Sequence, residues 1–401
     1  MFSLLTLNKY SKALLVLLLS ACYMQNSVSS DFESFQIHGF ANQGYFLSSA
    51  NNVYGKSSSG NGSLGLSEIG INASIHPLTN LGFAIQGIYR RAGAMSNHAQ
   101  IDFALLDWTI YNSGNKQAGL RVGRIKNPTG LYNETRDIAF TRPSILLPQG
   151  MYYERLRNLY LSADGVQLYL EQFTDIGEFS LQANIGKPID DKNELEASFF
   201  GFDAAGSLQA QTSYLLKLLY ESNSGSTRLA MTYIELDLDY HDKAVDIFTA
   251  GDISIELLIL SAQQHIADFT LTGEYSIRQN AVNNFGPVLA DFKTQSESYY
   301  IQGDYQLSPE VQLSLRYDVA YNNKDDKNGA LFSAATGQPR HNAFTKDSML
   351  AIRWMPVTDW MLRAEYHRIH GTSTLAFADN PNILANQKDW DLFALQLSYR
   401  F

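Results

Sequence analysis

Beyond its first thirty residues the chain has no apolar run near the roughly 18 residues that a membrane helix needs. An α-helical membrane protein is therefore excluded. Cysteine is nearly absent too. The single one, Cys22, lies inside the N-terminal targeting segment, so the rest of the chain has no disulfide and no thiol chemistry. Positive charge is short: 30 Lys and Arg stand against 40 Asp and Glu, a net −10 that argues against nucleic acid as a partner. Catalytic signatures are missing as well, with no Gly-x-Ser-x-Gly elbow and no His-Glu-x-x-His pair. The eight histidines are scattered. His367 and His370 are three apart, but on an expected strand that spacing means opposite faces. Neither an enzyme nor a bound cofactor or metal is indicated.

What is there fits a different class. Length alone would suit two or three soluble domains, yet one large barrel fits equally well. Mean hydropathy is −0.19, which does not oppose a membrane barrel, because its strands show lipid only every second side chain. The aromatics are 23 Tyr, 22 Phe and 4 Trp, suited to a fold that needs amphipathic rings at two membrane interfaces. The N-terminus reads as a secretion signal: Lys9 and Lys12 precede the apolar stretch Ala13 to Ala21. Two processing readings stay open. Val28-Ser29-Ser30 offers small residues for cleavage, making 1–30 a signal peptide and 31–401 the barrel. Alternatively, Leu19-Ser20-Ala21-Cys22 resembles a lipobox, a lipoprotein signal over 1–21 that would leave a lipid on Cys22.

From Phe35 onward the pattern gives sixteen strands. They are Phe35–Ser48, Leu64–His76, Leu81–Arg91, Ile101–Tyr111, Ala118–Lys126, Asp164–Phe173, Glu178–Gly186 and Ser207–Glu221. Then come Thr227–Leu238, Asp252–Gln264, Asp268–Arg278, Ser296–Leu307, Val311–Tyr321, Asp347–Met355, Trp360–His370 and Asp389–Phe401. Even-numbered strands end in short turns rich in Gly, Pro, Asn, Asp and Ser, such as Pro77-Leu78-Thr79-Asn80 and Ser308-Pro309-Glu310. Odd-numbered strands mostly end in longer polar loops, such as 49–63, 187–206 and 322–346. Short periplasmic turns, long external loops and an even count are the layout of a transmembrane antiparallel up-and-down β-barrel. The expected class is all-β.

Two-faced strands support this. Val311, Leu313, Leu315, Tyr317, Val319 and Tyr321 alternate with Gln312, Ser314, Arg316, Asp318 and Ala320. Phe269, Leu271, Tyr275 and Ile277 alternate with Thr270, Thr272, Glu274, Ser276 and Arg278. Two strands break the alternation, one near Leu105-Leu106 and one near Tyr233-Ile234, where either a bulge or a different register is expected. The stretch Leu215 to Leu219 is apolar on both faces except for Lys217, which marks either an oligomer contact or a plugged lumen.

The connection from Asn127 to Ala163 is the longest and differs in composition. It carries Leu131-Tyr132-Asn133-Glu134-Thr135-Arg136-Asp137, Thr141-Arg142-Pro143 and Tyr152-Tyr153-Glu154-Arg155-Leu156-Arg157. A long loop that is aromatic, apolar and arginine-bearing is expected to pack, and inside such a barrel its surface is the pore wall. Packing is likewise the favoured role of Tyr132, Tyr152 and Tyr153 over an aromatic slide for sugars.

With the signal, the strand count, Val122-Gly123-Arg124 running into Lys126-Asn127-Pro128, and an aromatic C-terminus, the chain resembles the Gram-negative outer-membrane porins, including the phosphate-selective type. The resemblance spans 31–401 as pattern. It implies a third loop folded into the lumen, with Arg136, Asp137, Arg142, Glu154, Arg155 and Arg157 as constriction residues. It implies a water-filled diffusion channel for small hydrophilic solutes or ions, and a homotrimer. It also matches Tyr399 and Phe401 to the C-terminal assembly signal read by the barrel-assembly machinery, although Gln396 stands where that signal usually carries glycine. The other class in view is a non-conducting barrel serving as receptor, adhesin or scaffold.

Arginine on a lipid face at the membrane midplane costs about 2–4 kcal/mol, so Arg90, Arg121, Arg316, Arg353 and Arg363 are expected to line the pore. Two roles remain open for them. They form a basic ladder favouring anions, or they pair with Asp102, Glu274, Asp304, Asp318 and Glu365 and stiffen the wall. The acidic excess falls in outer segments, at Asp190, Asp191, Glu194, Glu196, Glu235, Asp237, Asp239, Asp242 and Asp246. A solvated rim is expected there, with divalent cations bridging lipopolysaccharide as the alternative.

Overall fold

The computed structural model describes residues 35–401, so cleavage after Ser30 and lipidation at Cys22 both lie outside the described residues. Strands follow the alternation closely: β1 Gln36–Ser48, β2 Ser63–Leu78, β3 Leu81–Ala92, β4 Ser96–Ser113, β5 Lys116–Lys126, β6 Ser162–Thr174 and β7 Gly177–Pro188. The eighth wall position, β8, has two pieces, Ser207–Ala210 and Ser213–Ser222, both paired with β9 Thr227–His241. Next come β10 Gly251–Ile266, β11 Phe269–Asn283, β12 Phe292–Gln306, β13 Val311–Tyr321, β14 Phe344–Val357, β15 Trp360–Gly371 and β16 Asp389–Arg400.

Every neighbouring pair is antiparallel, and β1 pairs with both β2 and β16. The sheet therefore closes, leaving no unpaired edge. Closure runs from Phe40↔Arg400 to Ser48↔Leu392. Beyond it, the backbones of Gly39 and Phe401 exchange hydrogen bonds at 3.1 and 3.0 Å, and the Phe401 ring lies where a Cβ on residue 39 would have to sit.

The outward face is apolar, with Leu315, Leu350, Ile301 and Val122 all exposed. Rings ride at both of its ends. Trp108, Tyr305, Trp354 and Trp360 stand near the short turns, while Tyr233, Tyr275, Tyr317 and Tyr366 stand toward the long loops. Charges and amides point in, as Gln86, Asp102, Glu274, Arg316 and Arg363 illustrate.

Three local expectations are corrected. In β4 the register slips where Gln86 and Gly87 face Phe103 and Ile101, skipping Asp102, and again at Ile110. Neither slip lies at Leu105-Leu106. Along β9 the pairing with β10 is continuous from Thr227↔Gln264 to Tyr240↔Gly251, and the irregularity lies on the other side, where three β8 residues face two of β9 between Glu235↔Tyr214 and Leu238↔Ala210. In β9 the apolar face itself changes sides, from exposed Leu229, Met231 and Tyr233 to buried Ile234, Leu236 and Leu238. Third, Glu196 is not part of a solvated rim. It is fully buried and accepts hydrogen bonds from the backbone of Ala204 (2.7 Å) and Leu208 (3.3 Å).

Candidate functional site

The connection between β5 and β6 is pinned at its base, where Asn127 N–H donates to the Leu161 carbonyl at 2.9 Å. Asn133 tightens that base, its Nδ2 donating to the carbonyls of Asn127 (2.8 Å) and Tyr160 (2.9 Å). The segment is then bonded to inward-facing side chains of strands far apart around the barrel. On β11, Glu274 accepts from the Leu131 N–H (3.1 Å) and the Tyr152 hydroxyl (2.6 Å). On β15, Glu365 accepts from the backbone of Ile145 (2.5 Å) and Leu146 (3.3 Å). On β13, Arg316 donates to Ser144 Oγ and the Leu146 carbonyl, both at 2.9 Å. Gly130 is needed for this fit. Its φ is +58°, and a Cβ there would meet the Tyr152 hydroxyl at 2.6 Å and Glu274 Oε1 at 2.8 Å.

On one flank the segment makes an apolar core. Tyr132, Leu147, Met151, Tyr152, Leu156 and Leu159 pack with Leu215, Ile234, Leu236, Ile255, Leu257 and Ile259 from β8 to β10. Leu215 is thus an interior packing residue, while Leu216 and Leu218 face outward. Tyr132, Tyr152 and Tyr153 are all buried, consistent with packing.

The other flank is charged. Arg90 on β3 holds Glu68 of β2 at 3.0 Å and is ion-paired with Glu154 of the segment. Glu154 also takes Arg136 at 2.6 Å, and Arg142 approaches Glu68 at 3.6 Å. A second chain runs from Asp102 to Lys126 (2.6 Å), from Lys126 to Asp137, and from Asp137 to Arg157. Arg157 meets Glu154 at 3.7 Å and joins the two. Four carboxylates thus face five cations, nearly all of them buried. Removing one partner from such a pair leaves an uncompensated charge, a penalty of about 3–5 kcal/mol.

Five of the six proposed constriction residues meet in this network, namely Arg136, Asp137, Arg142, Glu154 and Arg157. Arg155 stands apart, donating to the Ser373 carbonyl at 3.1 Å. Among the wall arginines, Arg90 belongs to the network. Arg121 pairs with Asp107 at 2.8 Å nearer the short turns. Arg316 pairs with Asp318 at 2.8 Å. Arg363 donates to the Arg142 carbonyl and Arg353 to Gln306 (3.3 Å), and neither has an ion pair among the described residues. Of the carboxylates expected to pair with arginine, Asp318 does so and Asp102 takes Lys126. Glu274, Asp304 and Glu365 instead take hydroxyl, amide or histidine partners.

Sequence reasoning missed Glu68, Lys126 and His367. Glu68 has the inward parity of its strand, a usable signal. His367, fully buried between Asp347 (2.7 Å) and Glu365 (3.2 Å), shares the inward parity of Arg363 and Glu365, while its partners across the strands carry no local signal.

The fold is shared with solved outer-membrane proteins. OmpF of Salmonella typhi, in complex with daunomycin, is 14% identical, covering 93% of this chain and 99% of that one, with a TM-score of 0.57. In vitro folded OmpT of Vibrio cholerae, in trimer form, is 12% identical over 92% of this chain and all of that one, TM-score 0.55. The anion-selective porin of Comamonas acidovorans is 11% identical over 92% and 99%, also at 0.55. No family model matches the chain. No curated protein matches it either.

Proposed function

We propose that the chain is an outer-membrane porin, a water-filled channel through which small hydrophilic solutes or ions diffuse, narrowed by the segment 127–163. The observation that carries this reading is the charged flank. Here Arg136, Asp137, Arg142, Glu154 and Arg157 face Glu68, Arg90, Asp102 and Lys126 across one side. Fixed charges of this kind set a field that acts on ions passing beside them. The porin-like fold of the neighbours supports the same reading. In this view Arg90, Arg121, Arg316, Arg353 and Arg363 line the path, and chemistry on the solute plays no part. Export through the N-terminal signal, insertion by the barrel-assembly machinery with Tyr399 and Phe401 as its signal, contact with lipopolysaccharide and a homotrimeric state belong to the proposal.

Planar-bilayer recording of the refolded protein tests it. Stable conductance steps whose reversal potential shifts with a KCl gradient are expected, and silence over many insertions would sink the reading. Arg142→Glu should move the reversal potential toward cations. The apolar packing of Tyr132, Tyr152 and Leu156 favours a second reading, a barrel plugged by its own loop and serving as receptor, adhesin or scaffold. Silence in the bilayer with intact folding would select it.

A further inference from the structure

Beside the paired charges, with Glu154 in its lining, a cavity of about 70 Å³ lies between the segment 127–161, the wall from β13 to β16 and the connections at 52–54 and 374–379. On the same measure it has room for about five waters. Its lining is of three kinds. One wall is apolar, made by Trp390, Leu392, Ile369, Leu375 and Leu147. A second carries carboxylates. Asp347 is buried, with Oδ2 taken by His367 at 2.7 Å and approached by Arg316 at 3.9 Å, while Oδ1 is buried with no hydrogen-bond partner among the described residues. The third is Arg155, whose Nε is likewise buried and unpartnered, and which makes no ion pair among the described residues.

A guanidinium and a carboxylate that both face a cavity, yet do not satisfy each other, ask for an occupant with the opposite arrangement. Buried polar atoms left unsatisfied are destabilising, because they have given up water without gaining a partner. Water meets that demand at the polar walls, but gains nothing along the Trp390 and Leu392 side. An amphipathic zwitterion meets all three walls at once. We propose that this cavity is a binding site for small aliphatic α-amino acids, with the carboxylate on Arg155, the ammonium on Asp347 Oδ1 and the side chain against Trp390. The site deepens the placement of segment 127–163 inside the barrel and does not depend on conduction.

Trp390 supplies the readout. It is 3% exposed, whereas Trp108, Trp354 and Trp360 are each more than 40% exposed on the outer face. L-leucine titrated into the detergent-refolded full barrel should quench or shift the buried tryptophan signal saturably, with calorimetry as the second measurement. 4-Methylpentanoate, which lacks the ammonium, and isoamylamine, which lacks the carboxylate, should each bind at least tenfold more weakly. Arg155→Gln should weaken leucine about tenfold. Asp347→Asn should weaken leucine similarly while leaving 4-methylpentanoate unchanged, each variant first being checked for heat-modifiable folding. Equal binding of all three probes, binding of the carboxylate or the amine alone, or no saturable response would overturn the proposal. So would folded variants that bind leucine like the parent. Because binding is read without a membrane, its failure leaves the channel reading standing, and a silent bilayer leaves this site standing.

Discussion

The two flanks of segment 127–161 are held by opposite physics. Toward β8 to β10 the contact is apolar, non-directional and closed to water. Toward β2, β3 and the base of β5 it is a chain of buried ion pairs, directional and costly to desolvate. Strand β9 shows how the wall prepares for this. Its lower half follows the membrane-barrel rule, with Leu229, Met231 and Tyr233 outward. Its upper half reverses it, with Ile234, Leu236 and Leu238 inward and Glu235, Asp237 and Asp239 outward, at unbroken register with β10. The upper half is thus built as a soluble protein is, apolar inside. An apolar contact can position a loop and seal the space beside it. Buried ion pairs hold a loop by direction and charge, each side chain fixed by its partners. The difference teaches that one flank of the segment is held by buried apolar area and the other by paired charge.

The sharpest way to break the contrast is to place a charge on the anchoring flank. Leu257 is 2% exposed within the apolar core, and Leu257→Asp would leave a buried carboxylate there without a partner. We expect loss of heat-modifiable, folded barrel on semi-native gels. A folded variant with wild-type melting would show that this flank is wet. Tyr152→Ala is the next largest, since it removes a packed ring and the hydroxyl that bonds Glu274. A loss of about 3–5 kcal/mol is expected, visible as a lower melting temperature in detergent, and Tyr152→Phe should recover most of it.

On the charged flank the expected signature changes from stability to conduction. Arg136→Met leaves Glu154 with Arg90 and the more distant Arg157. Its stability cost should fall at or below the lower end of the roughly 3–5 kcal/mol seen when a buried pair is broken. Its single-channel conductance and reversal potential should both move. If Arg136→Met and Tyr152→Ala gave the same profile in both assays, the proposed division of the interior into an apolar anchor and a charged path would be wrong.

Much of this was legible before the structure. Period-two alternation is local, so each strand announced itself, and turn chemistry set the parity that brings β16 back to β1. Lumenal arginines followed from the cost of placing them in lipid, and all five point inward. Their partners did not follow. Which carboxylate meets Arg90 depends on cross-strand register and on the path of a 35-residue loop, and neither is written in local spacing. The same limit explains the misplaced bulges. In β9 a change in which face is apolar looks identical, in one dimension, to an inserted residue. Glu194 and Glu196 read as rim because a charge run is usually solvated, and only the helix Lys192–Phe199 folding over the segment reveals otherwise.

That helix offers the mildest test, at the outer edge of the contrast. Glu194 accepts from the Asn158 backbone N–H at 3.0 Å and from Asn158 Nδ2 at 2.7 Å, tying the external loop to the end of segment 127–161. Burial pushes its carboxyl up to about 8, against the pull of the Asn158 N–H. A carboxyl raised in the folded state binds its proton more tightly there than in the unfolded chain. The stability it contributes is therefore complete below the ordinary carboxylate range and is lost as pH rises through about 8. Hydrogen exchange at Asn158 and Leu159 should accordingly run faster at pH 9 than at pH 6, after correction for intrinsic rate. Glu194→Gln, which keeps the shape and cannot ionise, should flatten that dependence while leaving exchange in Ile255 and Leu257 unchanged. A pH response that survives the substitution would assign the loosening to another group and detach this helix from the anchoring flank.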